Sequence, residues 1–350
     1  MKNSEHPVVV VGGGLCGTLL AIRLKQRGHH TVLYEKRADM RLTDISAGRS
    51  INLALSNRGL KALELIGLRN KVLSLTIPMK GRLLHNRDGS LRLSPYSGRE
   101  GDFINSISRG DLNSMLYDEA EKIGIPIHFN KSCTTMDPDS GQLVFSGPDG
   151  IREKVLASCI FGADGAGSAV RQAAMIRSNT LRFDFSQSFL THGYKELSIP
   201  PGSDHTFRIE PNALHIWPRK TFMMIGLANP DKTFTITLFL PFEGENGFDA
   251  IQSDEEVVSY FEKWFPDAIP HMPELVEEFW ENPTSSLGTI RCYPWKIGKK
   301  TCIIGDAAHA IVPFYGQGMN CAFEDVVVLD GVMDEVNGDW GLIFERFQQL

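Results

Sequence analysis

The chain has no uninterrupted apolar stretch long enough to span a bilayer, which excludes a membrane-spanning helix within it. Cysteine is sparse, six in 350 residues. Cys16, Cys133, Cys159, Cys292, Cys302 and Cys321 form no C-x-x-C pair and no zinc-type spacing, so no metal site is expected and buried free thiols in a reducing compartment are. Positive charge is not in excess. A formal net charge of −6 argues against a nucleic-acid partner, because phosphate recognition needs clustered Lys and Arg. Blocks of like charge, internal repeats and low-complexity segments are missing too. Lys2 and the apolar run from Val8 have the outline of a signal peptide, but Gly12, Gly13, Gly14 and Gly17 interrupt that run. A cytoplasmic protein is expected. What remains, 42% hydrophobic and 22% charged, is the composition of a soluble globular protein with room for one large or two ordinary domains.

The glycines have a better explanation. Gly12-x-Gly14-x-x-Gly17 follows the run Val8 to Val11, and Glu35 comes eighteen residues after Gly17, at the end of a second apolar run, Thr31 to Tyr34. This is the full context of a dinucleotide-binding βαβ unit. Gly12 allows the tight strand-to-helix turn, Gly14 lets a pyrophosphate approach the backbone, and Gly17 lets the helix pack closely on the strand. The pyrophosphate then meets the free N–H groups of a helix from about Leu15 to Arg27. Glu35 would accept a hydrogen bond from a ribose hydroxyl. The turn predicts a dinucleotide and leaves FAD and NAD both open.

Beyond Glu35 a polar stretch runs to about Ser50, followed by a helix from Ser56 to Ile66 with Ser56 as N-cap. Alternating runs from Met79 to Leu93, with a turn at Asn86 to Gly89, predict a hairpin. A helix over Ser108 to Lys122, a strand at Ile127 to Phe129, a second hairpin (Gln142 to Phe145, Glu153 to Leu156) and a strand at Cys159 to Phe161 come next. From Leu181 the pattern changes. His205 to Ile209, Leu214 to Trp217, Phe222 to Leu227 and Thr233 to Leu240 predict an antiparallel sheet with one buried face. Helices are expected over Asp254 to Phe265 and Glu274 to Trp280. Thr301 to Ile304 then returns to a buried parallel-type strand, and a helix starts near Met319. The predicted fold is α/β: a discontinuous Rossmann-like domain (1–75, 100–180 and 288–350) with an inserted antiparallel substrate domain (76–99 and 181–287).

Two further Gly/Asp sites follow apolar strands, Gly162-Ala163-Asp164-Gly165 and Gly305-Asp306-Ala307-Ala308-His309. A carboxylate at a strand's C-terminal end faces the crevice where open α/β sheets bind ligands. Each alone reads equally as a turn residue or a helix N-cap. With the glycine turn, in this order, they resemble the class A flavin-dependent aromatic hydroxylases of the para-hydroxybenzoate hydroxylase fold. The stretches Gly48 to Ser56, Ser106 to Asn113, His192 to Leu197 and Gly305 to Asn320 narrow the resemblance to the kynurenine 3-monooxygenase family, across essentially the whole chain. Pro313-Phe314-Tyr315-Gly316-Gln317-Gly318-Met319-Asn320 is its most specific part.

The resemblance implies FAD as bound cofactor, with NADPH and O₂ as co-substrates and L-kynurenine as the aromatic substrate, in tryptophan degradation and pyridine nucleotide biosynthesis. It implies that O₂ adds at the flavin C4a and that the resulting hydroperoxide hydroxylates the ring carbon ortho to the aniline amine. Gly12, Gly14, Leu15, Gly17, Glu35, Arg37, Ala54, Arg109, Asp164, Asp306, Gly318, Met319 and Asn320 would hold FAD. Arg82 and Tyr96 would bind the substrate's carboxylate; a planar guanidinium offers it paired donors. Tyr194, Leu214, Met223, Ile225, Leu227 and Phe239 would line the ring pocket, and Pro313, Phe314 and Gln317 would form the loop over the flavin's reactive face. The family continues into a C-terminal helical region, expected to be missing from a chain that ends at Leu350. No second Gly-rich unit is present, which suits a nicotinamide that visits transiently; a homo-oligomer stays open. The alternatives are a class A hydroxylase of another aromatic acid, or a flavin-binding protein without hydroxylase activity.

Overall fold

The computed structural model of the chain describes residues 5–42, 52–97, 99, 102–176, 181–336 and 338–350. Most of the polar stretch expected before Ser50, and residues 48–51 of the first family-like stretch, lie outside them. Val8–Val11 and Thr31–Tyr34 form strands buried along their whole length. They pair in parallel with each other, and Val8–Val11 pairs in parallel with Cys159–Gly162. Thr301–Ile303, Ile127–His128 and a short antiparallel edge, Lys296–Ile297, complete six strands. The continuous valines follow from this placement, since a parallel strand covered on both faces has no side to give to polar residues. The helix Leu15–Gln26 packs beside this sheet, and its Thr18, Leu19, Leu20, Ala21 and Ile22 are all buried.

A seven-stranded sheet forms the second layer. Its order is Ser285–Tyr293, Asp184–Ile199, Phe234–Pro241, Phe222–Ala228, Leu214–Arg219, Gly81–His85 and Leu91–Pro95. Every pairing is antiparallel except that of Leu214–Arg219 with Gly81–His85. The early hairpin thus joins a sheet whose other strands all lie from Asp184 onward in the chain. One face covers an apolar core with the helices Asp254–Trp264 and Leu275–Glu281, centred on Trp217, Phe234, Phe261 and Phe265. Ser253 caps the first helix by accepting from the Glu256 N–H. A three-stranded sheet of Asn52–Leu55, Ile104–Ser108 and Ile77–Met79 lies among these parts.

Two elements depart from the sequence reading. His205 to Ile209 form no strand. Pro200, Pro201 and a turn closed by the Gly202 N–H on the Thr206 carbonyl break extension there, and Phe207 and Ile209 pack under the sheet instead of pairing in it. The sixteen-residue strand Asp184–Ile199 carried no clear signal, because its first half is largely exposed and polar. The helix expected over Ser56 to Ile66 runs Asn57–Leu65, and a final helix, Trp340–Phe347, packs Trp340 and Phe344 edge-on to Phe161. No helix among the described residues is long and apolar enough to cross a membrane.

Candidate functional site

A single cavity of about 1760 Å³ runs from the glycine turn to the seven-stranded sheet. At one end stand Gly12, Gly14 and Leu15. A Cβ on Gly12 would meet the Ala163 carbonyl at 2.4 Å, and one on Gly17 would meet the Gly12 carbonyl at 2.0 Å. Those two glycines make the turn possible. Gly14 is different, because a Cβ there meets nothing within 4 Å. It faces open cavity, at the start of a helix whose first N–H groups are free to bind an anion. The turn is braced from behind, where the Tyr117 hydroxyl and the Asn113 amide both donate to the Gly13 carbonyl. Asn113 ends the family-like stretch Ser106 to Asn113; Tyr117 carried no signal of its own.

Glu35 is 4% exposed and accepts from the Gly13 N–H at 2.8 Å, the Arg37 N–H at 2.9 Å and the Arg37 side chain at 2.9 Å. Burial pushes its carboxyl up, but these donors outweigh burial and hold it below the ordinary glutamate value. It stays ionised at the end of its strand. Asp164 and Asp306 behave differently. The Asp164 carboxylate accepts from the Ser168 hydroxyl and from the Ala169 and Val170 N–H groups, so it caps the helix Ala169–Ile176 while also facing the cavity. Burial raises it above the ordinary value. Asp306 opens into the cavity, and the protein packed round it raises it as well, against the pull of Arg109 and His309. Gly305, just before it, is fixed by Asp325, which accepts from the Gly305 N–H and bonds the His309 ring at 2.6 Å. Nothing in the local sequence marked Asp325.

At the other end the sheet supplies an apolar floor. Tyr194, Leu214, Met223, Ile225, Leu227 and Phe239 all line the cavity, as do Arg82 and Tyr96. The Arg82 guanidinium lies over the Tyr96 ring, 4.7 Å from its centre. Burial pushes the Tyr96 hydroxyl up to about 12, and that hydroxyl is buried with no partner among the described residues. A buried phenol of this kind is a donor waiting for an acceptor. Between the two ends lies the short helical turn Pro313–Tyr315. Phe314 meets Phe239 edge-to-face at 5.3 Å, which joins this loop to the sheet. Gln317 lines the cavity too, with its amide tied to Arg58 at 2.8 Å.

Of the site residues expected from sequence, all but two line this cavity. Gly17 sits under the turn. Asn320 is wholly buried, donates to the Ala54 and Gly316 carbonyls and accepts from the Ser56 N–H, so it ties three segments of the wall together. Residues the sequence reading missed include Asn52, Gln187, Phe189 and Thr237. They come from three strands in two sheets, which the fold brings to one cavity. Among the described residues no cluster of three or more His, Cys, Asp or Glu could hold a metal.

The residues present fit a flavin dinucleotide. An open glycine cradle, an ionised acid at the second strand, a carboxylate facing the cavity at Asp306 and the Arg109 guanidinium are spread along one long space. The profile of a family described as "FAD binding domain" matches residues 5–340. Kynurenine 3-monooxygenase of Myxococcus xanthus is 46% identical over 99% of this chain and 74% of its own length. The Dictyostelium discoideum and Sus scrofa enzymes of that name are 45% and 41% identical, covering 93% and 98% of this chain and 69% and 72% of theirs. Among solved structures, a tetrameric 2-methyl-3-hydroxypyridine-5-carboxylic acid oxygenase matches with a TM-score of 0.79 at 23% identity, over 99% of this chain and 87% of that one. The tetracycline destructase Tet(51) matches at 0.67 and 18%, over 99% and 86%. These two show a shared fold.

Proposed function

The chain belongs to the kynurenine 3-monooxygenase family, and we propose that it hydroxylates L-kynurenine at the ring carbon ortho to the aniline amine. The observation that carries this reading is the pairing of Arg82 with a Tyr96 hydroxyl that has no partner among the described residues, beside an apolar floor and in the same cavity as the glycine turn. An aromatic amino acid has the matching shape, a carboxylate at one end and a flat ring at the other.

When bound, FAD supplies the redox chemistry, reduction by NADPH and activation of O₂ for transfer of one oxygen atom to the ring. The protein's share is binding, orientation and exclusion of water. Gly14 and the first N–H groups of its helix would take the pyrophosphate, Glu35 a ribose hydroxyl, and Asp306 with Arg109 the middle of the cofactor. Arg82 and Tyr96 would fix the carboxylate and so set how far the ring reaches toward the loop Pro313–Tyr315. Tyr194, Leu214, Met223, Ile225, Leu227 and Phe239 would hold the ring in one plane. The aniline amine already activates the neighbouring carbon, so the site needs no strong base. Placement does most of the work.

The test is NADPH oxidation by the FAD-loaded protein with and without L-kynurenine, with the product identified by mass. Stimulation with formation of a 3-hydroxy product supports the reading. Stimulation by a different aromatic acid alone points to another hydroxylase of the same class, and no stimulation by any points to a flavin-binding protein without that activity.

A further inference from the structure

Behind the sheet, on the face turned away from the cavity, lies a chain of polar groups that the proposed reaction does not use, buried at its two histidines and half-buried at Asp267. His85 ends the strand that bears Arg82, and His215 lies on its parallel neighbour, where Leu214 pairs with Arg82 in register. Alternation along the strands sends Arg82 and Leu214 into the cavity and His85 and His215 to the opposite face. His85 Nδ1 lies 2.6 Å from the Asp267 carboxylate, and His85 Nε2 lies 2.8 Å from His215 Nδ1. His215 Nε2 lies 2.7 Å from the Glu210 carbonyl. The Trp217 indole N–H donates to the same Asp267 oxygen at 2.9 Å, with its ring stacked on His85 at 4.0 Å.

The protons in this chain can be counted. Both ends, a carbonyl and a carboxylate, only accept. Three hydrogen bonds in series therefore need three protons on the ring nitrogens, and two neutral imidazoles hold two. The satisfied chain carries one extra proton and a net positive charge beside Asp267. The charge belongs on the ring that faces the carboxylate, His85, because the outer nitrogen of His215 meets a neutral carbonyl; burial also drives His215 down, to about 4. Burial alone would raise Asp267, but its bonds to His85 and Trp217 hold it below the ordinary aspartate value. The groups facing the chain are Asp267 and His271 from the 265–271 turn, His215 and Arg219 from the adjacent strand, and Glu210 from the loop before it. Arg219 donates to the His85 carbonyl at 3.0 Å, while Arg87 and Arg208 act from further off.

The neighbouring strand and this cluster hold the outer hairpin to the layer behind it, together with Arg87 of its turn, whose guanidinium lies over the Trp264 ring at 4.4 Å. The hairpin presents Arg82, and Tyr96 immediately follows it. We propose that the proton shared along Asp267–His85–His215 locks the hairpin in place and thereby positions Arg82 and Tyr96 for the substrate carboxylate. His85 and Asp267 are positioning residues in this scheme. The proposal rests on the reading that Arg82 and Tyr96 bind that carboxylate. Loss of the proton at alkaline pH breaks one of the three bonds, leaves buried polar atoms unpaired, and loosens the hairpin.

The direct test is ¹⁵N NMR of histidine-labelled, FAD-loaded protein near neutral pH. Both ring nitrogens of His85 should be protonated, with His215 neutral and protonated at Nε2 only. A neutral His85 overturns the proposal. The functional test titrates L-kynurenine against the flavin absorbance across pH. The wild-type dissociation constant should rise as pH rises, in a single-proton step. Asp267→Asn should raise it roughly tenfold or more at neutral pH, as a misplaced binding group does, and flatten its pH profile, with turnover at saturating substrate kept. His85→Gln serves as second variant, expected to behave alike. A wild-type profile without that step, or variants that lose turnover while binding stays normal, overturns the proposal. The reading beneath it fails in a different way: Arg82→Met would then bind substrate normally, while the NMR result still decides the proton count.

Discussion

A carboxylate that leaves water for the space beside Tyr96 needs donors in return, and the Arg82 guanidinium with the Tyr96 hydroxyl can supply them. Breaking one side of a buried charge pair costs about 3–5 kcal/mol. Arg82→Met should therefore raise the L-kynurenine dissociation constant by at least about a hundredfold, with the flavin spectrum unchanged; equal binding by the variant would reject the carboxylate site. Lys at this position should restore little, for want of the planar fork. At the far end of the cavity, Asp306→Ala should weaken FAD retention by about 1–3 kcal/mol, read by dialysis and flavin fluorescence. Unchanged retention would make Asp306 a turn residue only. At this scale Asp306 could be picked out from its own Gly/Asp corner, whereas Arg82 and Tyr96 lie outside the family-like stretches and were pointed to only by the resemblance as a whole. Asp325 and Tyr117 were not legible, since their partners Gly305, His309 and Gly13 lie far off in the chain.

The glycine turn gives a contrast between neighbours within one element. Gly14 faces open cavity, whereas a Cβ on Gly17 would collide with the Gly12 carbonyl. Gly14→Val should fold with a normal melting temperature and purify colourless. Gly17→Val should lose roughly 1–3 kcal/mol or more of stability, as overpacking does, measured by urea unfolding. A yellow Gly14→Val protein with full flavin content would remove the pyrophosphate from this turn. Although the cap expected at Ser56 makes no side-chain capping bond, the helices and strands around the turn could be read from local periodicity, as with Arg109–Lys122, where Ser108 accepts from the Asp111 N–H at its start. The strand Asp184–Ile199 could not, because alternation appears only where a sheet buries one face and half of this strand has no such face.

Across the whole molecule a charge clamp joins the glycine-turn helix to a helix three hundred residues later. Asp330, on the helix Gly318–Glu335, is 6% exposed and is held by Arg23 and Arg27 around the end of the glycine-turn helix. Burial raises its carboxyl, and the two guanidinium groups outweigh burial and bring it below the ordinary value. A carboxyl lowered by folding adds stability that is fully present above its unfolded value and is lost as pH falls through the folded one. Asp330→Asn should thus lose about 3–5 kcal/mol near neutral pH and show a shallower loss of stability in acid than wild type; parallel acid-unfolding curves would remove the clamp from the account. Local chemistry was enough to specify the glycine turn, the acid after the second strand and the Gly/Asp corners, because each depends on a short local pattern. From these the dinucleotide and the family could be read. The tertiary structure alone decided that the hairpin of Arg82 joins the distant strand of Leu214, that Asp330 meets Arg23, and that His85 meets Asp267 and His215. Those contacts exist only once the apolar faces have packed, and no local pattern records which distant face a strand will find.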